Sequence, residues 1–489
     1  MRPSQTKIIA TLGPAIASVE KLVQLIQAGV DVFRINAAHG NTESFAAMLS
    51  LVRQAEAQAN VPIAALMDLA GPKMRLGEIE GGQLDCQRGE TIRFVKGNVS
   101  TQKNYLTSTY APLADELNVG DRVLMCDGTV SVEITQKAPD YVEGVVVQPG
   151  TIRSRQGINL PGVKLSVKSL QPIDITNAIW GVQNGIDYLG FSFVRTAEEI
   201  EELRNILVEN KPKDQPLNTG IIAKIEKPEA LENLDAIVAV SDGVMVARGD
   251  LGVEVDIARM GVVQKEIIRA CRELEKPVIV ATQMLESMTH SRIPTRAEAS
   301  DVANAVFDGA DCVMLSGETA VGDYPVETVE TMHRIALETE YERAAAMENE
   351  QLSPVESVPV IYESGENTLL RPGSDVASAL AEAAVDVACQ TDAKLIVAAT
   401  ATGRTALDLA HLRCPVSTIG CSPSQAAARR MCLYWGVIPL YLPQAKGYGD
   451  IIKTAKEAQL IEKDDTVVVL SGMNVFEHSY NAVSVHEVK

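Results

Sequence analysis

Eight short apolar runs recur along this chain, at residues 6–13, 31–36, 63–69, 188–193, 220–226, 243–248, 277–283 and 312–317. Each is rich in Val and Ile and apolar through most of its length, which describes a strand buried on both faces, as in a parallel sheet. Between most of them lie amphipathic stretches such as 18–28, where Leu22, Val23, Leu25 and Ile26 fall at helical spacing. Strand, helix, strand in succession implies parallel pairing, because each crossover must carry the chain back before the next strand starts. Eight such units close most naturally into a (β/α)8 TIM barrel, whose chemistry sits at the C-terminal ends of its strands. The final helix is clearly punctuated: Thr295-Arg296-Ala297-Glu298 is a capping box, and Asp308-Gly309 stops the run.

The third strand is separated from its partner helix, near 175–182, by a segment of different character. That insert alternates in the β manner at 91–95, 122–125 and 141–147, with Asp127-Gly128 as a hairpin signal. We assign residues 1–72 and 172–345 to the barrel and 73–171 to an inserted small β-barrel lid. A charged helical stretch then runs to Ser353-Pro354, and the chain passes through Ser364-Gly365-Glu366-Asn367 into a second α/β pattern. Its strands at 394–400, 416–420, 437–442 and 466–471 predict a C-terminal doubly wound α/β domain over 346–489.

Composition narrows the partners. With 44 basic against 64 acidic residues the formal charge is −20, so broad affinity for nucleic acid or an anionic membrane is not expected, and an anionic ligand must find a local basic pocket. The eight cysteines contain no C-x-x-C pair and read as small buried hydrophobes of a reducing cytoplasm. Gly13-Pro14 breaks the apolar N-terminal stretch, which argues against a secretion signal. His290, His333, His411, His478 and His486 show no paired spacing and are expected at the surface, without zinc.

The chemistry concentrates where two strands end. Lys224-Ile225-Glu226 closes the fifth run and Val246-Ala247-Arg248-Gly249-Asp250 the sixth. Two carboxylates and an ammonium at adjacent strand ends describe the protein half of a Mg²⁺ or Mn²⁺ site open to substrate phosphate, with a lysine placed to neutralise a transferring phosphoryl group. Either acid alone would read as a salt-bridged loop carboxylate. Arg34, ending an apolar strand, needs an anion.

Taken in order, Thr6-Lys7-Ile8-Ile9-Ala10-Thr11-Leu12-Gly13-Pro14, Arg34-Ile35-Asn36-Ala37-Ala38-His39-Gly40, Lys224-Ile225-Glu226, residues 245–252, Ala281-Thr282-Gln283-Met284-Leu285-Glu286-Ser287-Met288 and Leu315-Ser316-Gly317-Glu318-Thr319-Ala320 resemble the pyruvate kinase family over nearly the whole chain. The resemblance implies transfer of the phosphoryl group of phosphoenolpyruvate to ADP, giving pyruvate and ATP, by a homotetramer with a regulatory C-terminal domain. It makes Glu226 and Asp250 the metal ligands and Lys224 the phosphoryl stabiliser. Gly249 and Asp250 would hold the substrate carboxylate through backbone N–H groups, and Arg34 would hold its phosphate. Thr282 and Ser316 would relay a proton to the enolate. Asn36, His39, Arg75 and Arg155 would face the nucleotide. A lyase acting on a pyruvate enolate with the same metal pair, or a silent metabolite sensor, would be the competing readings.

Two departures from the family pattern stand out. Its usual potassium site joins an asparagine, a serine, an aspartate and a threonine; here Asn36 and Asp68 remain, but Ala38 and Leu69 replace the other two ligands, and neither side chain can coordinate a cation. Lys73 stands where the pattern has glutamate. We therefore expect its ammonium to act as a K⁺ surrogate, with K⁺ itself not required, as in a potassium-independent branch of the family. Gln156 replaces a frequent lysine in the lid, and Arg155 is expected to substitute. In the C-terminal domain Thr400-Ala401-Thr402-Gly403-Arg404-Thr405 joins a strand to a helix, offering hydroxyls, N–H groups and a guanidinium to a phosphate. Similarity to the family favours a phosphorylated allosteric effector there, a sugar phosphate or AMP.

Overall fold

The computed structural model describes residues 4–97, 102–126, 128–348, 376–472, 475 and 481–489. All eight expected barrel strands form: β1 (Lys7–Thr11), β2 (Val30–Asn36), β3 (Ala64–Asp68), β4 (Tyr188–Phe191), β5 (Gly220–Ile225), β6 (Gly243–Ala247), β7 (Val278–Ala281) and β8 (Cys312–Leu315). Each pairs in parallel with the next, and β8 closes on β1 from Lys7↔Cys312 to Ala10↔Leu315. The two-residue strand period splits the barrel into two cores. Ile8, Phe33, Met67, Leu189, Val246 and Val280 point outward and pack under the helices. Ile9, Val32, Leu66, Ile222, Met245, Ile279 and Met314 fill the cylinder.

That inner core does not stop at the barrel. It runs on through Met431, Cys432 and Leu433 into the C-terminal domain. The short helical turn Met431–Leu433 thus plugs the mouth at the N-terminal ends of the strands, where the Tyr188 hydroxyl donates to the Arg430 carbonyl at 2.7 Å and the Cys312 thiol to the Leu433 carbonyl at 3.3 Å. Arg429 forks onto Glu56, and Arg413 pairs with Asp311 at 2.8 Å and stacks on Trp435. With this mouth sealed, the opposite face of the barrel is left for ligands.

The insert forms a six-stranded sheet around its own core of Ile92, Phe94, Val123, Val132 and Val142, beside the two-stranded pair Gln83–Cys86 and Gly150–Arg153. Arg122–Met125 and Val130–Lys137 make the expected hairpin, Met125 opposite Val130; Asp127 in its turn lies outside the described residues. In the C-terminal domain Val437–Tyr441, Ser417–Ser422, Leu395–Ala399 and Thr466–Ser471 pair in parallel in that order. A fifth strand, Ala482–Glu487, adds antiparallel to the edge; its half-exposed pattern carries no buried run, so sequence reading missed it. Ser353-Pro354 and the Ser364-Gly365-Glu366-Asn367 passage lie outside the described residues.

The capping box at Thr295 and the stop at Gly309 (φ 98°) form as read. Six of the eight cysteines are buried and all are free thiols. The histidine expectation needs correction at two positions, and His478 lies outside the described residues. His333 is 5% exposed, packed beside Gly29, and the His411 ring is buried at the seam between barrel and C-terminal domain, because both lie on helix faces turned inward. Among the described residues no helix is long and apolar enough to cross a membrane.

Candidate active site

Lys224 and Glu226 emerge at the end of β5, and Asp250 in the short helix Arg248–Glu254 that follows β6. The Lys224 ammonium is buried between carboxylates, 2.8 Å from Glu226 Oε1 and 3.6 Å from Asp68 Oδ2, and donates to the Ser192 hydroxyl at 2.8 Å. Burial opposes its charge, but Asp68 and Glu226 outweigh that and carry its pKa up to about 12. Lys224 is therefore a permanent cation. Asp68 also receives the Arg34 Nε–H at 2.7 Å, and the two cations hold its carboxyl below the ordinary range despite burial. Arg34 continues to the Thr11 hydroxyl at 3.2 Å.

Glu226 is 1% exposed. One of its oxygens accepts the Phe193 N–H at 2.7 Å, while Oε1 is held by the Lys224 ammonium at 2.8 Å. Burial pushes its pKa up, Lys224 pulls it down, and the charge of Asp250 pushes it up again. A buried carboxylate repelled by a second carboxylate at the same mouth suits a hard divalent cation such as Mg²⁺. Among the described residues no group of three or more His, Cys, Asp or Glu side chains could hold a metal by itself. The residues fit an ion whose remaining positions go to substrate and water.

Thr282, just past β7, has φ 70°, and Gln283 follows at φ 54°. This left-handed pair aims the Thr282 hydroxyl back across the strand ends, where it accepts the Gly249 N–H at 2.7 Å and donates to the Ala281 carbonyl at 2.6 Å. Ser316, after β8, has a buried hydroxyl with no hydrogen-bond partner, and its N–H is fixed by Glu318 at 2.7 Å. Arg34, Lys224, Glu226, Gly249, Asp250, Thr282 and Ser316 are thus all placed on the loops and strand ends of one barrel face.

The nucleotide-side candidates are looser. His39 is exposed on the loop after β2, and the Asn36 side-chain carbonyl accepts the Ala38 N–H at 3.1 Å. Leu69 is buried and apolar, and both Asp68 cation partners are protein side chains. Lys73, half-exposed at the root of the lid, has its ammonium 3.7 Å from Asp250 Oδ1. Arg75 reaches the Arg155 carbonyl at 3.1 Å, whereas the Arg155 side chain turns to Glu78 at 2.7 Å, because its left-handed backbone (φ 63°) points it along the lid.

Far from this face, Gly403 (φ 93°) leads into the helix Arg404–His411. Thr400 caps the Gly403 N–H at 3.0 Å, Thr402 lies 3.5 Å from the Arg404 N–H, and Thr405 is buried. Arg404 pairs with Asp408 at 2.7 Å and crosses to Glu275 of the barrel at 3.2 Å.

Sequence reading missed Ser192, the Phe193 N–H, Thr11 and the counter-ion position of Asp68. Ser192 left a signal, a hydroxyl at the end of an apolar run. Gly190 left none: a Cβ there would sit 1.9 Å from Asp68 Oδ1, so only glycine lets that carboxylate fold in beneath Lys224 and Arg34.

Comparison with known proteins agrees with this geometry. The family model described as pyruvate kinase, barrel domain, matches residues 3–329, and that described as pyruvate kinase, alpha/beta domain, matches 378–486. The chain belongs to the pyruvate kinase family. It is 40% identical over 473 residues to a pyruvate kinase of Agrobacterium vitis, covering 96% of this chain and 95% of the relative. It is 36% identical over 491 residues to one of Geobacillus stearothermophilus, covering 99% and 80%. A solved pyruvate kinase from Cryptosporidium parvum superposes with a TM-score of 0.88 at 32% identity, covering 99% of this chain and 96% of that one. The chain is accordingly a phosphotransferase acting on phosphoenolpyruvate and ADP, in a family that generally uses Mg²⁺.

Proposed function

We propose that this pyruvate kinase works without K⁺, with Glu226 and Asp250 as its Mg²⁺ ligands and Lys73 supplying the charge that K⁺ supplies elsewhere. Bound there, Mg²⁺ would neutralise charge on the oxygens of the transferring phosphoryl group. Lys224, locked between Asp68 and Glu226, faces the migrating phosphoryl as a preorganised cation that need not reorganise during transfer. Arg34 keeps guanidinium N–H capacity beyond Asp68 and Thr11 for the substrate phosphate.

The Gly249 N–H, now donated to Thr282, is the natural donor to the substrate carboxylate, together with the N–H of Asp250. Once the carboxylate takes that donor, the Thr282 hydroxyl is released toward the enolate. Ser316, with a buried hydroxyl that lacks a partner, completes the relay that brings a proton to the enolate carbon. Asn36, His39 and Arg75 line the nucleotide side, with the share of Arg155 reduced by its pairing to Glu78. The assembly is a homotetramer, and the Thr400 to Thr405 loop takes a phosphorylated effector.

The observation that carries the reading is the burial of Lys224 between Asp68 and Glu226, with the charge of Asp250 acting on Glu226 at the same mouth. The test is ADP-dependent pyruvate and ATP formation in tetramethylammonium buffer with Mg²⁺. Full turnover without K⁺ is expected; a large rise on adding K⁺ refutes the surrogate, and pyruvate formed without ATP would favour a lyase.

A further inference from the structure

The left-handed pair at Thr282 and Gln283 needs an external support. A β-branched residue with φ 70° is a backbone outlier, and a second non-glycine residue with φ 54° follows it directly. Neither conformation is favoured by local sequence, and Gln283 is exposed, so packing of its side chain does not impose it.

One side chain grips both peptides. Arg248, 9% exposed, donates from Nε and Nη2 to the Thr282 carbonyl at 3.2 and 2.7 Å, and from Nη2 to the Gln283 carbonyl at 3.2 Å. Its Nη1 is anchored from the other side by Asp301 at 2.6 Å, with Gln264 at 3.4 Å. A planar, permanently charged fork is the one side chain that can hold two successive carbonyls on one edge and a carboxylate on another. Arg248 is also two residues before Asp250 and adjacent to Gly249, whose N–H donates to the Thr282 hydroxyl. The guanidinium therefore braces the end of β7 against the end of β6.

We propose that Arg248 is a positioning residue that clasps the carbonyls of Thr282 and Gln283 and so holds the Thr282 hydroxyl where the enolate is protonated. This rests on the proton-relay reading of Thr282 given above. Loss of the fork lets the loop relax from its left-handed form and swings the hydroxyl away. Glu226 and Asp250 stay where they are, so metal binding survives and turnover does not.

The test compares wild type, Arg248→Lys, Gln283→Gly and their combination, with Thr282→Val beside them. Arg248→Lys should lower kcat about 30-fold or more while KM for phosphoenolpyruvate and binding of Mn²⁺ alone change less than about threefold, the signature of a group needed after binding. Gln283→Gly alone should stay within about twofold of wild type, and in the Arg248→Lys background should recover kcat about fivefold, because glycine takes positive φ without strain. Absence of recovery, or an effect on KM alone, overturns the proposal. Should Arg248→Lys fail to fold in a thermal unfolding assay, Asp301→Asn, which loosens the same guanidinium, should lower kcat about threefold with the same recovery, and no change there overturns it equally. Normal kcat in Thr282→Val would bring down the relay reading itself; a defect in Thr282→Val but none in Arg248→Lys would bring down only this inference.

Discussion

Lys73→Glu inverts the charge beside Asp250, and its size can be worked from one distance. The ammonium lies 3.7 Å from Asp250 Oδ1 with the lysine side chain 46% exposed. At about that separation two unit charges interact by ~1 kcal/mol in water and ~4 kcal/mol at an effective dielectric of about 20; the exposure argues for the lower part of that range, ~1–2 kcal/mol. A phosphate oxygen on the ion that Asp250 helps to hold would feel the same cation at a similar scale. Replacing attraction by repulsion roughly doubles the effect to ~2–4 kcal/mol, or about 30- to 1,000-fold in kcat. The assay is steady-state turnover in tetramethylammonium chloride at saturating Mg²⁺. The Mg²⁺ half-saturation point should fall, not rise, because an ammonium competing for Asp250 gives way to a carboxylate. Adding Ala38→Ser and Leu69→Thr to Lys73→Glu rebuilds the oxygen ligands, so the triple variant should be activated by K⁺ at least about tenfold, part of that same electrostatic term. Turnover of Lys73→Glu within about threefold of wild type would refute the argument, since less than ~1 kcal/mol would then have been at stake.

Other outcomes follow from the same structure. Gly190→Ala places a methyl 1.9 Å from Asp68 Oδ1, forcing that carboxylate from beneath Lys224 and Arg34; kcat should drop about 100-fold or more in folded protein, and near-normal kcat would show that the pairing is dispensable. Burial, reinforced by Arg413, Arg404 and Arg272, depresses the pKa of His411 to about 3, against an ordinary 6.5. Between those values the unfolded chain binds a proton that the folded chain refuses, so stability falls as pH drops from 6.5 toward 3, by up to ~1.4 kcal/mol per pH unit. Urea midpoints of His411→Leu should lack that one-proton slope; an unchanged slope would place the titration elsewhere. Arg404→Ala should abolish activation by a sugar phosphate or AMP, and an activation curve unchanged by it would make Thr400 and Thr402 plain helix caps.

Much of the site was legible because its chemistry is local in the chain. Lys224 and Glu226 are two residues apart, and a strand end faces both into the same mouth. The arrangement of Asp68 was not legible, because its partners come from β2 and β5 and its room comes from Gly190 on β4, three contributions that only barrel closure brings together. Lys73 could be read as an unusual cation, but its placement beside Asp250 depends on how the lid root crosses the strand ends. The surface expectation for His333 and His411 failed because nothing in a lone histidine reports which helix face is covered.

Periodicity and punctuation by themselves determined the eight strands, the parallel order, the inserted lid and the second α/β unit, since burial on both faces and helical crossovers leave few other ways to arrange them. Tertiary structure alone decided what closes the other mouth of the barrel. Met431, Cys432 and Leu433 lie far along the chain from the barrel strands, and their burial against Ile9, Val32 and Met314 could be settled only once the C-terminal domain had docked. It also decided the backbone of Thr282, whose left-handed form is held by a guanidinium from the neighbouring strand end and is favoured by nothing in its own neighbourhood.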